Sequence, residues 1–540
     1  MSGRRVSDAI VEVLTAASVD TIFGIPGIHT LALYDALADA PSIRHVLTRH
    51  EQGAAFAADG YARIRRRPGL VTTTTGPGTF NTIGAMAEAW SDSSPVVLLA
   101  GQIDAALDGQ GRGVLHETPD QGRSFEAITA FVGRPRTPEA MPAAVAEALR
   151  CSMTGRWRPA YVELPTDLLG RPLEGATPTV AFPEATAPDP TAIVAAARLL
   201  SRARRILLVP GAGVQRAGAA NELHRLAKRL GAPVATTITG AGAIPDDDAW
   251  SVGSFVPGRP EWRALFEMAD AVVVVGSRLD DVGTARWTLA LPNLVHIDVD
   301  PAVIDRAYPA AVGVVGDARL ALTALLDELG PPPAGGLDEP GWGRSRARAM
   351  REAARSSVAP DQRATRDAFL ATRAAIPRDA ILTHDAARLN SWTGYFWQVY
   401  QPDGSMFPWG SATLGFALGA ANGAAVAAPG RRVVAACGDG GFLFTGTELA
   451  TAVAHELDVT LLIHDDGAFG SIADYQIRSY GRAYGTKLRN PDLIAFARSF
   501  GVPAERVEEI ADLPAAMARA VAEPGPSVVV LASPLGQPWS

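Results

Sequence analysis

Short apolar runs alternate with helix-like stretches along the whole chain, which is the pattern of parallel α/β sheets. In the first part the runs are 21–24, 69–73 and 95–100, with a last one near 161–165. A Pro/Ala-rich linker, 172–190, separates them from a second set at 206–213, 272–276 and 295–300. That set ends at Pro331-Pro332-Pro333-Ala334-Gly335-Gly336. The third set runs from about 364 to 530 and includes 381–384, 433–437 and 459–464. The fold class expected is α/β: three doubly wound parallel-sheet domains over residues 1–172, 190–330 and 360–540. Residues 4–17 alternate charge and apolarity as an amphipathic helix does, without the apolar block of a signal peptide.

Composition narrows the function classes. An apolar fraction of 47% with 20% charged residues is that of a soluble globular protein. A net charge of −8 without a basic cluster gives nucleic-acid binding no electrostatic support. Cys151 and Cys437 are too few for a disulfide framework and fit a reducing cytosol. No apolar run approaches the ~20 residues of a membrane span. A cytoplasmic protein with neither nucleic-acid nor membrane partner is expected.

The most specific chemistry stands at the ends of two runs. Gly438-Asp439-Gly440 closes 433–437, and Asp465-Asp466 closes 459–464, with Asp466 27 positions after Asp439. Parallel strands joined by a crossover helix, expected over 447–457, bring both acids to the sheet edge where ligands of open α/β sheets bind. Hard carboxylate oxygens there suit Mg²⁺ carrying a phosphate. Neighbouring glycines let backbone N–H groups approach phosphate oxygens. Plain helix capping is the bland alternative for such acids.

This spacing resembles the thiamine diphosphate fingerprint, and the chain is similar to the acetolactate synthase / benzoylformate decarboxylase / benzaldehyde lyase superfamily. Ile22-Phe23-Gly24-Ile25-Pro26-Gly27, Arg49-His50-Glu51 and Ala58-Asp59-Gly60-Tyr61-Ala62 carry the likeness. So do Thr75-Gly76-Pro77-Gly78, Gly415-Phe416-Ala417-Leu418 and Glu448-Leu449-Ala450-Thr451-Ala452. The resemblance implies an N-terminal pyrimidine-binding, a central and a C-terminal diphosphate-binding domain. It also implies sites shared between the first domain of one subunit and the third of its neighbour, hence a homodimer or homotetramer.

By the same resemblance Asp439 and Asp466 bind Mg²⁺ through side chains and Ala468 through its carbonyl. Gly438, Gly440, Gly441, Phe469 and Gly470 surround the diphosphate, with Ala386 and Ala387 also touching it. Leu414 supports the cofactor's bent shape and Ala412 offers a carbonyl to its exocyclic amine. Glu51 hydrogen-bonds the aminopyrimidine, whose imino form takes the thiazolium proton. The family usually has Asn where Asp465 stands, so Asp465 is expected to point away or to pair with a cation.

Substrate choice falls to other residues. His29 matches a histidine of benzaldehyde-lyase-like members and suits proton relay. Thr74 replaces the histidine of benzoylformate decarboxylases, and His116 lies in a stretch resembling Phe-Gln-Glu-Thr of acetolactate synthases. Ile128-Thr129-Ala130 lacks their lysine. Arg278-Leu279-Asp280-Asp281-Val282 lacks their second arginine, which weighs against FAD despite Gly211-Ala212-Gly213. Of Trp392, Tyr395, Phe396 and Trp397, some are expected to line the pocket and most to be core or interface. The expectation is a Mg²⁺- and thiamine diphosphate-dependent 2-oxo acid decarboxylase or carboligase acting on a small 2-oxo acid, aldehyde or ketone. A 2-hydroxyketone lyase and an FAD-containing 2-oxo acid oxidase are the alternatives.

Overall fold

The computed structural model describes residues 3–331 and 341–539. Most of the Pro/Gly-rich end of the second set therefore lies outside the described residues. The first sheet contains β1 (Thr21–Gly24), β2 (Arg44–Leu47), β3 (Gly69–Thr73), β4 (Val96–Gln102), β5 (Phe131–Gly133) and β6 (Ala160–Pro165). The central sheet contains β7 (Ile206–Pro210), β8 (Val234–Thr236), β9 (Ser251–Ser254), β10 (Ala271–Val275), β11 (Val295–Asp298) and β12 (Val312–Val315). The third contains β13 (Ile381–His384), β14 (Ser405–Met406), β15 (Val433–Gly438), β16 (Val459–His464), β17 (Ala504–Val507) and β18 (Ser527–Leu531).

Every recorded strand pair within these sheets is parallel. Strands covered by helices on both faces need apolar side chains on both, which is why β4, β7, β10 and β16 are buried end to end. The first and third sheets share one strand order, β2-β1-β3-β4-β6-β5 and β14-β13-β15-β16-β18-β17. The central sheet differs, running β12-β11-β10-β7-β8-β9.

Two helices join the first and third domains. The Glu51–Arg65 helix crosses the Phe416–Ala427 helix inside one continuous core. A Cβ on Gly60 would fall on the Ala420 carbonyl, one on Gly423 on the Ala57 carbonyl, and one on Gly419 2.6 Å from Phe56 Cβ. The crossing is close because these three positions carry no side chain.

One expectation is corrected. The crossover between β15 and β16 is not one helix over 447–457. A helix starts at once with Asp439–Thr445, a 3₁₀ turn follows at Gly446–Glu448, and a second helix spans Leu449–Ala454. Trp392, Phe396 and Trp397 are core, Trp392 stacking on Phe369 with ring centroids 5.5 Å apart, whereas Tyr395 is only partly buried.

Candidate active site

The third sheet brings Asp439 and Asp466 together. Gly438 pairs with His464 in register, so β15 and β16 end level and their next residues share one edge. Asp439 Oδ1 accepts the Gly440 N–H (2.7 Å), and Oδ2 accepts from Gly467 N–H (2.9 Å) and Asn490 Nδ2 (2.6 Å). Asn490 also donates to Asp465 Oδ1 (2.9 Å), whose other oxygen pairs with Arg506 at 3.1 Å. Asp465 thus meets a cation, as its charge required.

Asp466 Oδ2 accepts from Arg388 at 2.7 Å. The same guanidinium forks onto Asp474 (2.8 and 3.2 Å) and reaches the Gly470 carbonyl (3.1 Å). Burial is the main cause raising both Asp439 and Asp466 above the ordinary aspartate range. Asp439 is raised further by Asp466 and Asp465, and Asp466 by Asp474, while Arg388 holds Asp466 down. His464 is pushed down to about 4 by burial, so it stays neutral beside them.

The surrounding glycines are needed for close packing. A Cβ on Gly440 would meet the Phe469 ring at 2.6 Å, and one on Gly441 the Asp385 carboxylate at 2.6 Å. One on Gly438 would lie 3.3 Å from Ala387, and one on Gly470 would collide with Asp466 and Arg388. Residues 486–488 brace this loop: Phe469 donates to Thr486, Leu488 donates to Gly467, and Ala468 bridges Lys487.

Ala412 and Leu414 lie on a turn held from two domains. Buried Asp385 accepts from Gly415 (3.1 Å) and Ala417 (3.2 Å), and burial raises it to about 6. Glu88 of the first domain accepts from Thr413 N–H (3.1 Å) and Oγ1 (2.8 Å). Ala412 takes a positive φ of 52° and is exposed.

In the first domain, Glu51 opens its helix, where an acid suits the N-terminal dipole. Its Oε2 accepts from Asn81 Nδ2 at 3.0 Å. His29 sits in the turn Ile28–Thr30 and is buried, its Nδ1 3.0 Å from Thr74 Oγ1. The His116 ring lies 5.4 Å away, centroid to centroid. His116 adopts φ 65°, and its buried Nδ1 has no hydrogen-bond partner among the described residues. Burial first, then the nearby His116, lowers His29 below the usual histidine range, while Asp104 pulls the other way.

Among the described residues no hydrogen bond or ion pair joins Glu51 to Asp439 or Asp466. Large apolar groups are exposed at both places: Ile28, Leu31 and Leu115 near His29, and Leu443 and Phe444 in the helix begun by Asp439. A capacious cavity lies elsewhere, at the carboxyl edge of the central sheet, with Arg156, Arg216, Arg278 and Asp298 in its wall. Burial and neighbouring arginines push Arg156 down to about 9 and Arg216 to about 10.

Sequence reasoning missed Asn81, Glu88, Asp385, Arg388 and Asn490. Asp385 and Arg388 flank the flagged Ala386-Ala387 and were within reach. Asn81, Glu88 and Asn490 act across long sequence separations and left no local signal.

Three family models match in order: the thiamine pyrophosphate enzyme N-terminal TPP binding domain over residues 4–124, the central domain over 193–325, and the C-terminal TPP binding domain over 385–531. The probable 2-ketoarginine decarboxylase of Pseudomonas aeruginosa is 37% identical, covering 94% of this chain and 90% of its own length. The probable acetolactate synthase large subunit of Methanocaldococcus jannaschii is 32% identical, covering 93% and 87%. A solved structure of a putative thiamin diphosphate-dependent enzyme from Mycobacterium smegmatis shares the fold, with TM-score 0.83, 24% identity, and coverage of 98% of this chain and all of that one. The chain therefore belongs to the thiamine pyrophosphate enzyme family and is an enzyme of its decarboxylase and acetolactate synthase-like kind.

Proposed function

We propose that the chain is a Mg²⁺- and thiamine diphosphate-dependent 2-oxo acid decarboxylase, with carboligation as a second outcome of the same site. The observation that carries this reading is the meeting of Asp439 and Asp466 at one strand edge, both raised in pKa by burial and by nearby acids. Such a pair gains from a bound cation. Among the described residues no three His, Cys, Asp or Glu side chains form a metal site. Two carboxylates with remaining positions for phosphate and water fit Mg²⁺ better than a metal caged by protein alone.

Asp439 and Asp466 would hold the metal, with the Ala468 carbonyl beside them. Gly438, Gly440, Gly441, Phe469, Gly470, Ala386 and Ala387 would surround the diphosphate, while Leu414, Ala412 and Glu51 would hold the rings. When bound, thiamine diphosphate would supply a nucleophilic thiazolium carbon and, in its cationic ring, the sink for the electron pair freed when the substrate bond breaks. The C1–C2 bond of the 2-oxo acid breaks and CO₂ leaves. A proton delivered to C2 gives the aldehyde, whereas bonding to a second carbonyl gives a 2-hydroxyketone. His29, neutral and oriented by Thr74, accepts or returns that proton, with His116 next to it. The acid limb of kcat/KM should then lie below the ordinary histidine value of about 6.5 and disappear in His29→Asn.

Exposed Ile28, Leu31, Leu115, Leu443 and Phe444 support closure of each site by a second copy, giving a homodimer or a pair of dimers. The domains are proposed to divide at 172–190 and 330–360. The relative named as a 2-ketoarginine decarboxylase supports including a guanidino 2-oxo acid among the substrates tested. Purified protein with Mg²⁺ and cofactor should release CO₂ from one of guanidino, aliphatic and aryl 2-oxo acids. Cleavage of 2-hydroxyketones with no CO₂ from any acid would select the lyase alternative.

A second reading, a flavin-containing oxidase, draws on the arginine-lined central cavity. Against it, Gly211 and Gly213 spend their N–H groups on the Val275 (2.8 Å) and Gly276 (3.0 Å) carbonyls. Trp409 also bonds Asp280 there at 3.0 Å. A flavin absorbance band that bleaches on adding a 2-oxo acid decides for this reading, and absence of a band after flavin addition decides against it.

A further inference from the structure

Glu51 is preceded by a segment gripped from the third domain. Glu448 Oε1 accepts the N–H groups of Arg49 (3.0 Å) and His50 (2.9 Å), the two residues before Glu51. Its Oε2 accepts the Thr451 hydroxyl at 2.5 Å, and Thr451 also reaches the Leu47 carbonyl at 3.5 Å. His455 Nε2 accepts the Leu47 N–H at 3.0 Å. Positions 448, 451 and 455 follow helical spacing, so one helical face holds the Leu47–His50 stretch from end to end. Asn422 fixes the grip by donating to the Glu448 carbonyl at 3.1 Å.

Glu448 is 1% exposed, and burying a carboxylate is costly unless its oxygens are satisfied. Here they are satisfied by backbone N–H groups at the start of the Glu51 helix, where charge-assisted bonds are short and directional. Space for the carboxylate exists because residue 53 is glycine: a Cβ there would collide with it. Gly is a poorer helix former than Ala, by up to about 1 kcal/mol in a helix interior, so a glycine in this first turn forgoes some helix stability and leaves room for the acid.

We infer that Glu448 is a positioning residue for Glu51, fixing through the backbone where the Glu51 carboxyl stands. The inference rests on the proposed role of Glu51. It has a second consequence, because Glu448 lies nine positions after Asp439 on the segment that begins at the metal edge. One chain segment therefore serves the diphosphate at its start and the aminopyrimidine side at its end. If sites form between subunits, those ends belong to two different sites.

The test is deuterium exchange of the thiazolium C2 proton of bound thiamine diphosphate, read by quenched-flow NMR, beside calorimetric affinity for cofactor with Mg²⁺. Glu448→Ala should slow exchange by about tenfold or more with affinity within about threefold, because a shift near 1 Å in a positioned group costs on the order of 10²-fold. Glu448→Gln keeps an acceptor oxygen and should restore exchange to within about threefold of the parent. Gly53→Ala displaces the carboxylate without removing it and should also slow exchange; it decides the matter if Glu448→Ala does not fold. Parental exchange in Gly53→Ala, or in folded Glu448→Ala, would reduce Glu448 to interdomain packing and overturn the inference. Glu51→Gln run in parallel separates the two claims. Slow exchange in Glu51→Gln with parental exchange in the other variants sinks only the inference, whereas parental exchange in Glu51→Gln sinks the Glu51 role as well.

Discussion

In the first domain Glu51 stands at a helix start with one amide, Asn81, on its carboxylate. In the third domain Asp439 and Asp466 stand among Asp465, Asp474, Asn490, Arg388 and Arg506. The two halves are built on sheets of identical strand order, so the contrast comes from residues at the strand ends. One half presents a single carboxyl held by one amide on a backbone gripped by Glu448. The other must manage charge, and it does so with arginines. Under the proposed function, Mg²⁺ would take Asp466 only if Arg388 gave up one hydrogen bond while keeping its fork on Asp474.

The sharpest way to break this comparison is to cut each half separately. Glu51→Gln should reduce kcat by about 10³-fold or more while calorimetric cofactor affinity changes little, since an activating group acts after binding. Lost affinity with normal turnover at saturation would merge the two halves into one. Asp439→Ala should do the reverse, weakening Mg²⁺-dependent cofactor binding by about 100-fold or more through loss of a metal ligand. Unchanged affinity would remove Asp439 from the proposed metal ligands. Arg388→Gln tests whether the arginine occupies a ligand or organises it. Mg²⁺ binding measured without cofactor should tighten by about tenfold, equivalent to about 1.4 kcal/mol; weaker binding would assign Arg388 to organisation. The smallest effect is expected from Asp465→Asn, whose lost partner Arg506 has a side chain 43% exposed. Exposed pairs contribute about 0.2–1 kcal/mol, so thermal unfolding of a chain this long should shift by about one degree or less.

The sheets were legible wherever strands are buried on both faces. The runs at 381–384 and 459–464 were read at their true limits because continuous apolarity and flanking polar residues mark both ends. Edge strands were not legible: β2 is Arg-His-Val-Leu and β17 is Ala-Glu-Arg-Val, short segments with one face toward water. The crossover helix was misplaced because Gly440 and Gly441 read as loop, whereas they are helical and small so that Phe469 and Asp385 fit beside them. Asp439 and Asp466 could be paired from spacing alone. Arg388 was within reach beside Ala386-Ala387, but its bond to Asp466 crosses 78 positions and is not marked locally.

The crossing of the Glu51–Arg65 and Phe416–Ala427 helices bears on how such enzymes can be recombined. At Gly60, Gly419 and Gly423 each helix meets the other's backbone or Cβ directly, leaving no side chain there to trim or repack. A hybrid that takes its first domain from a relative and its third from this chain inherits that contact whole. It accepts not even a methyl group at these three places.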